Sequence, residues 1–169
     1  MAQRGGVDHE RAFPEPDDDD IEPAPAAAVV VGHDGSAEAD HALETALEVA
    51  SGLGAPLTVV RAWSMVTAPR PAGWTFGYVP SADEFAGAVL AELESDAEPL
   101  VSRFPDVTVS HRAHHAGPAR ALIESSRDVR MLVVGSRGLG GFRGMVLGST
   151  SDKCVRYAHC PVLVTRLPG

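Results

Sequence analysis

The chain has 169 residues, 44% of them hydrophobic and 22% charged, which suits one packed domain and is tight for two. Two cysteines exclude a disulfide scaffold, and no apolar run nears the ~20 residues of a membrane helix. A formal net charge of −9 argues against a general nucleic-acid binder.

Residues 1–27 stand apart. They hold Asp17, Asp18, Asp19 and Asp20, four prolines, and eight acids against two arginines, with almost no large apolar side chain. Such a segment cannot bury enough surface to offset its ordering entropy, so an acidic disordered arm is expected. The four aspartates read as a solvated tail or as a patch that meets a metal or repels an acidic partner. The segment lacks the pattern of a signal peptide, and the expected location is the cytoplasm.

From residue 28 to residue 169 two periodicities alternate. A β-branched run at 28–33 predicts a first strand. Ser36 is a good helix cap, and Ala39, Leu43, Ala46, Leu47, Ala50 and Leu53 recur at helical spacing up to Gly54. Residues 57–63 (LTVVRAW) predict the second strand, and the proline-rich stretch 64–80 a long loop. A second helix is predicted over 82–104, with Pro99 at a kink or break. A third strand is predicted over 107–113, and a third helix starts at Gly117-Pro118, with proline in its favoured first turn. A continuous apolar run at 131–135 predicts a buried parallel strand. A fourth helix over 147–158 and a fifth strand over 161–166 complete the series.

Strict β-α alternation implies an α/β fold with one parallel sheet and helices on both faces. The simplest doubly wound arrangement has strand order 3-2-1-4-5. Ligands of such sheets bind at the carboxyl ends of the strands where the winding reverses, here between strands 1 and 4. One rim reads Gly32-His33-Asp34-Gly35-Ser36. The other runs from Gly135 to Ser151, and its first ten residues contain five glycines. Glycines let a backbone approach a ligand and aim its N–H groups inward. Ser149, Thr150 and Ser151 lie near a helix start, where free N–H groups favour an anion. Together they read as a cradle for phosphates, although a glycine-rich loop also serves as a plain connector. Asp34 suits a ribose hydroxyl or a Mg²⁺ ion carried by the phosphates. Lys153 is the single lysine, which counts against a lysine-based phosphate loop.

Gly135-x2-Gly138-x9-Gly148-Ser149, with VVVGHDGS before it and GSTSDKCVRYAHCPVLVTR at its end, resembles the nucleotide-binding signature of the universal stress protein family. The resemblance spans residues 28–169. It implies a Rossmann-like, adenine nucleotide alpha hydrolase-like fold, with ATP as ligand and Mg²⁺ as a companion held indirectly through Asp34. It implies that Asp34 lines the nucleotide pocket, that the backbone near Ala62 faces adenine, and that Gly117 lies near base or ribose. Gly135, Gly138, Gly148 and Ser149 would wrap ribose and phosphates, followed by Thr150 and Ser151. It also implies a homodimer through the last strand, Val162–Thr165, acting on an unknown protein partner. The first functional reading is an ATP-binding regulatory protein without a catalytic residue. A slow Mg-dependent ATP hydrolase and a dimeric scaffold that has lost its ligand are the alternatives.

Two positions depart from the family pattern. His33 stands where an apolar residue is usual, and it either packs and hydrogen-bonds or touches the nucleotide and tunes Asp34. Arg61 stands where the family often has histidine. Trp74, Phe76 and Tyr78 put aromatic rings in the 64–80 loop, which either covers the crevice or is a surface excursion. Arg137 and Arg143 read as phosphate partners or as surface arginines. Cys154 and Cys160 fit no zinc spacing and read as buried thiols. His114 and His115 are adjacent, so on an extended segment their rings point to opposite faces and make a poor metal pair. Ser36, His33 and Asp34 are too close in sequence to form a relay, and no G-x-S-x-G motif is present.

Overall fold

The structure is a computed structural model that describes residues 21, 23–73, 75, 77–139 and 146–167. Nine elements alternate: β1 (Val29–Gly32), α1 (Ala37–Leu53), β2 (Leu57–Trp63), α2 (Ala82–Val101), β3 (Val109–His115), α3 (Pro118–Ser125), β4 (Met131–Gly135), α4 (Ser149–Tyr157) and β5 (Val162–Thr165). All five strands pair in parallel in the order β3-β2-β1-β4-β5. The doubly wound order expected from the alternation is therefore the one observed, and it has the Rossmann-like form that the resemblance implied.

Strand β1 is central and its valines are fully buried, because side chains on successive positions feed two different cores. On one face Val29, Val31, Leu57, Val59 and Val133 pack under α1 and α2. On the other, Val30, Val60, Leu132 and Val134 pack with Leu122 of α3 and Cys154 of α4. Burial pushes the Cys154 thiol up to about 11, so it is an inert apolar group, and Cys160 is pushed up by the same cause. Both cysteines are free.

The helix ends follow local chemistry. Ser36 caps α1 by accepting the Ala39 N–H, and Gly54 closes it in the left-handed conformation. Ser81 and Glu84 form a reciprocal capping box at the start of α2. Three elements, α2, β3 and α4, depart from the sequence expectation by two residues or more. Helix α2 passes Pro99 and stops two residues later: proline has no N–H for the Ser95 carbonyl, and the helix does not continue past the turn that holds it. Strand β3 starts at Val109, where pairing with Leu57 of β2 begins, and extends to His115. Helix α4 starts at Ser149, because Gly148 has extended backbone angles (φ −69°, ψ 159°).

Of the acidic arm expected over residues 1–27, residues 1–20 and Glu22 lie outside the described residues. Its last residues pack on the domain: Ala24 is buried among Val129 and its neighbours, and the Ala27 N–H donates to the Asp128 carbonyl. Small residues fit there against the amino ends of the strands.

His111 of β3 is half-buried beneath α2. Burial lowers its pKa from the usual 6.5, Glu94 and Glu98 of α2 pull it back up, and His33 lowers it further. In the unfolded chain the same ring titrates near its ordinary value. The unfolded state then binds more protons, so stability from this group is intact above that value and is lost as pH falls through it. His111→Leu is expected to lose less of its urea midpoint than wild type between pH 7.5 and pH 5.5. Equal losses in the two proteins would remove His111 from the acid response.

Candidate functional site

The carboxyl ends of β1 and β4 are neighbours whose chains turn to opposite sides of the sheet, α1 to one face and α4 to the other. A cleft of about 880 Å³ opens there. Asp34, Ala62, Gly117, Gly135, Gly138, Gly148, Ser149, Thr150 and Ser151 all border it, so residues that run from position 34 to position 151 meet in one place.

Asp34 joins the two rims. Its Oδ1 accepts the Ser36 N–H at 3.1 Å, closing the turn into α1. Its Oδ2 accepts the Leu139 N–H at 3.0 Å, across the crevice. Gly35 supports the turn with φ +83°, a conformation that disfavours any side chain. Gly138 is glycine for a steric reason: a Cβ there would collide with Asp34 Oδ2. Gly135 is also confined, since a Cβ would lie 3.0 Å from the Arg137 carbonyl oxygen and 3.2 Å from Glu38 Cβ and carbonyl oxygen.

Gly148 is less crowded. A Cβ would meet Arg137 Cα and the Ser136 carbonyl oxygen at 3.5 Å, an ordinary contact. Its N–H donates to the Ser136 carbonyl at 2.7 Å, which pins the start of α4 to the end of β4. No side chain caps α4 or α3, whose N-caps are Gly148 and Gly117. The first N–H groups of α4 therefore have no intrahelical acceptor, and they lie at residues that border the cleft, whereas α3 begins with Pro118, which has no N–H. The Ser151 hydroxyl is already used, donating to the Gly135 carbonyl at 2.6 Å. Ser149 and Thr150 are the hydroxyl-bearing residues of that turn that remain for a ligand. Ala62 borders the cleft from β2, in register with His114 of β3.

The α2 side of the cleft carries residues that the motif does not include. Arg61, Glu92, Val89, Trp63 and His115 border it there. His115 stacks on Trp63 with ring centroids 4.4 Å apart, and Phe85 of α2 lies against the same indole at 6.5 Å. Arg61 had a signal in the sequence, a charge inside an otherwise apolar strand. Glu92 had none, since an acid on a helix reads as a solvated face. His33 is 3% exposed and hydrogen-bonded through both ring nitrogens, to Asp40 and to Arg61.

Arg137 borders the glycine side of the cleft, whereas Arg143, Trp74 and Phe76 lie outside the described residues. Ser64, Thr67 and Pro69 of the 64–80 loop reach the cleft. Tyr78 instead donates to Glu84 at 2.9 Å at the start of α2. That bond raises the Tyr78 pKa, and the Ser81 N–H with Tyr78 lowers that of Glu84.

Glu92 and Arg61 border the cleft on the α2 side, Asp34 spans its two rims, and the uncapped start of α4 and Arg137 border the glycine-rich side. An anion is favoured at the α4 start. Among the described residues no three His, Cys, Asp or Glu side chains converge to hold a metal. No helix among the described residues is long and apolar enough to cross a membrane.

Comparison with known proteins gives concordant matches. A family model described as "Universal stress protein family" matches residues 27–166. Universal stress protein Rv2623 of Mycobacterium tuberculosis (strain H37Rv) is 34% identical over 151 residues, covering 89% of this chain and 49% of the relative. Universal stress protein Rv2005c of the same organism is 39% identical over 150 residues, covering 88% and 49%. The chain spans about half the length of these curated relatives. Among solved structures, a universal stress protein in complex with cAMP superposes with a TM-score of 0.61 at 25% identity, covering 84% of this chain and 98% of that one. UspA from Lactobacillus plantarum superposes with a TM-score of 0.63 at 16% identity, covering 85% and 100%, a likeness of fold.

Proposed function

The chain belongs to the universal stress protein family, and from that premise we propose that it binds an adenine nucleotide in the β1–β4 crevice and acts as a nucleotide-dependent regulatory protein in the cytoplasm. The observation that carries the reading is the meeting of Asp34 with Gly138 and Leu139 beside the uncapped start of α4. It brings a carboxylate, approachable backbone and free N–H groups to one crevice. The solved relative that carries cAMP supports an adenylate as the ligand class.

In this reading the phosphates lie against Gly135, Gly138, Gly148, Ser149 and Thr150, with Ser151 holding the turn in shape. Asp34 takes a ribose hydroxyl, and the base points toward Ala62 and Gly117, on the side away from the cradle. ATP is the nucleotide expected, and Mg²⁺ would enter with its phosphates, since Asp34 alone cannot hold it. The molecule pairs with a second copy along Val162–Thr165, an edge strand with partly exposed apolar side chains. The nucleotide state alters what that dimer presents to a protein partner.

The regulatory reading is favoured over hydrolysis by the state of Asp34. Both its oxygens accept backbone N–H groups, which suits holding a ligand more than activating a water. Small molecules released from natively purified protein and weighed by mass spectrometry are expected to include an adenine nucleotide. Protein that elutes empty and gives no heat with ATP, AMP or cAMP would sink the reading. Steady phosphate release from ATP that Asp34→Ala abolishes would replace regulation with hydrolysis.

A further inference from the structure

Asp34 is held in place from behind. Strand β2 is apolar except for Thr58 and Arg61, and Arg61 is 7% exposed. Its guanidinium reaches the end of β1 and grips His33 twice, Nε–H to the carbonyl oxygen at 3.1 Å and Nη2–H to Nδ1 at 2.8 Å. The same Nη2 donates to Asp96 of α2 at 2.7 Å, and Nη1 lies 3.4 Å from Glu92.

An arginine can only donate, so His33 Nδ1 is the acceptor and the ring hydrogen sits on Nε2. Nε2–H then donates to Asp40 of α1 at 3.0 Å. On the other flank of Asp34, Arg61 Nη2 and Asp96 Oδ2 lie 3.8 Å from where a Cβ on Gly35 would stand, near that residue but not bonded to it. The ion pair therefore holds the Asp34 segment through the carbonyl and ring of His33.

We propose that Arg61 is a positioning residue, which with Asp96 fixes where the Asp34 carboxylate stands and so maintains its bond to the Leu139 N–H across the crevice. Its planar fork spans three acceptors on two elements, which a lysine ammonium cannot match with the same geometry. Glu92, at the mouth of the cleft, is a weaker second anchor. The consequence for ligand affinity rests on the nucleotide reading above, whereas the placement of Asp34 does not.

The test uses unliganded protein and the amide signal of Leu139 in ¹⁵N–¹H spectra, with Asp34→Ala as the reference for a released rim. Arg61→Met keeps most of the stem and removes the donors. Asp96→Ala removes the α2 anchor and leaves the His33 contacts in place. In both variants the Leu139 signal is expected to move toward its Asp34→Ala position, and its hydrogen exchange to quicken at least tenfold. Core amides such as Val30 and Val133 should stay protected, which separates repositioning from loss of fold. Arg61→Lys is expected to resemble Arg61→Met. A Leu139 signal that stays at its wild-type position in the folded variants overturns the proposal, and if Arg61→Met does not fold, Asp96→Ala decides. With AMP as probe, Arg61→Met is expected to bind about tenfold more weakly than wild type. Wild type that binds none of ATP, AMP and cAMP overturns the nucleotide reading alone, because the amide measurement needs no ligand.

Discussion

Gly148→Glu is expected to weaken adenine-nucleotide binding at least 100-fold, about 2.8 kcal/mol, while the thermal midpoint stays within a few degrees of wild type. Gly148 has angles that any residue adopts, and its Cβ position is in ordinary contact with Arg137 and Ser136. The fold therefore has room for a side chain. What changes is the start of α4, where free N–H groups and the helix dipole attract a negative charge. A glutamate there brings its own carboxylate to that spot and repels the phosphates that would otherwise occupy it. Gly148→Ala is the control and should bind within a few-fold of wild type. Calorimetry with ATP and AMP on both variants checks the pair, and full affinity in folded Gly148→Glu would take the α4 start out of the site.

Gly135→Glu is a poorer probe of the same cradle. Its Cβ would press on the Arg137 backbone and on the first turn of α1. Loss of binding in that variant would therefore mix a blocked site with a displaced helix.

The second large effect is expected at Gly138. A methyl group there lands on Asp34 Oδ2, so the carboxylate must rotate away and give up the Leu139 N–H. Hydrogen bonds to a charged acceptor contribute about 1.5–3 kcal/mol, and rotating the carboxylate also moves the group that would meet the ribose. Gly138→Ala is expected to bind AMP ten- to thirtyfold more weakly than wild type. Asp34→Ala should show a loss of similar size. The two substitutions act on one contact, so the double variant should be scarcely worse than Asp34→Ala alone. Losses that simply add in isothermal titrations would mean that glycine at 138 serves something other than room for Asp34.

The same carboxylate shows where sequence reading stops. Asp34 was a visible candidate because it follows a strand that ends at the switch point of the sheet. Its bond to Leu139 joins residues 105 positions apart, and no local pattern marks such a pair. Arg61 was visible as a departure from the family's usual histidine, but its partners lie just after β1 and on α2. Their meeting depends on how far each helix slides along the sheet. The Ser151 hydroxyl read as a ligand group from its place near a helix start. The tertiary structure turns it toward the Gly135 carbonyl, because α4 begins two residues later than periodicity suggested.

Sequence alone determined the alternation of strands and helices, the parallel sheet, its winding point and the glycine-rich rim beside it. Those follow from side-chain periodicity and glycine spacing, which are properties of short stretches of chain. The tertiary structure decided which polar groups are spent on the protein itself and which are left for a ligand. Hydrogen bonds form between atoms about 3 Å apart, and only the packing of distant elements sets distances on that scale.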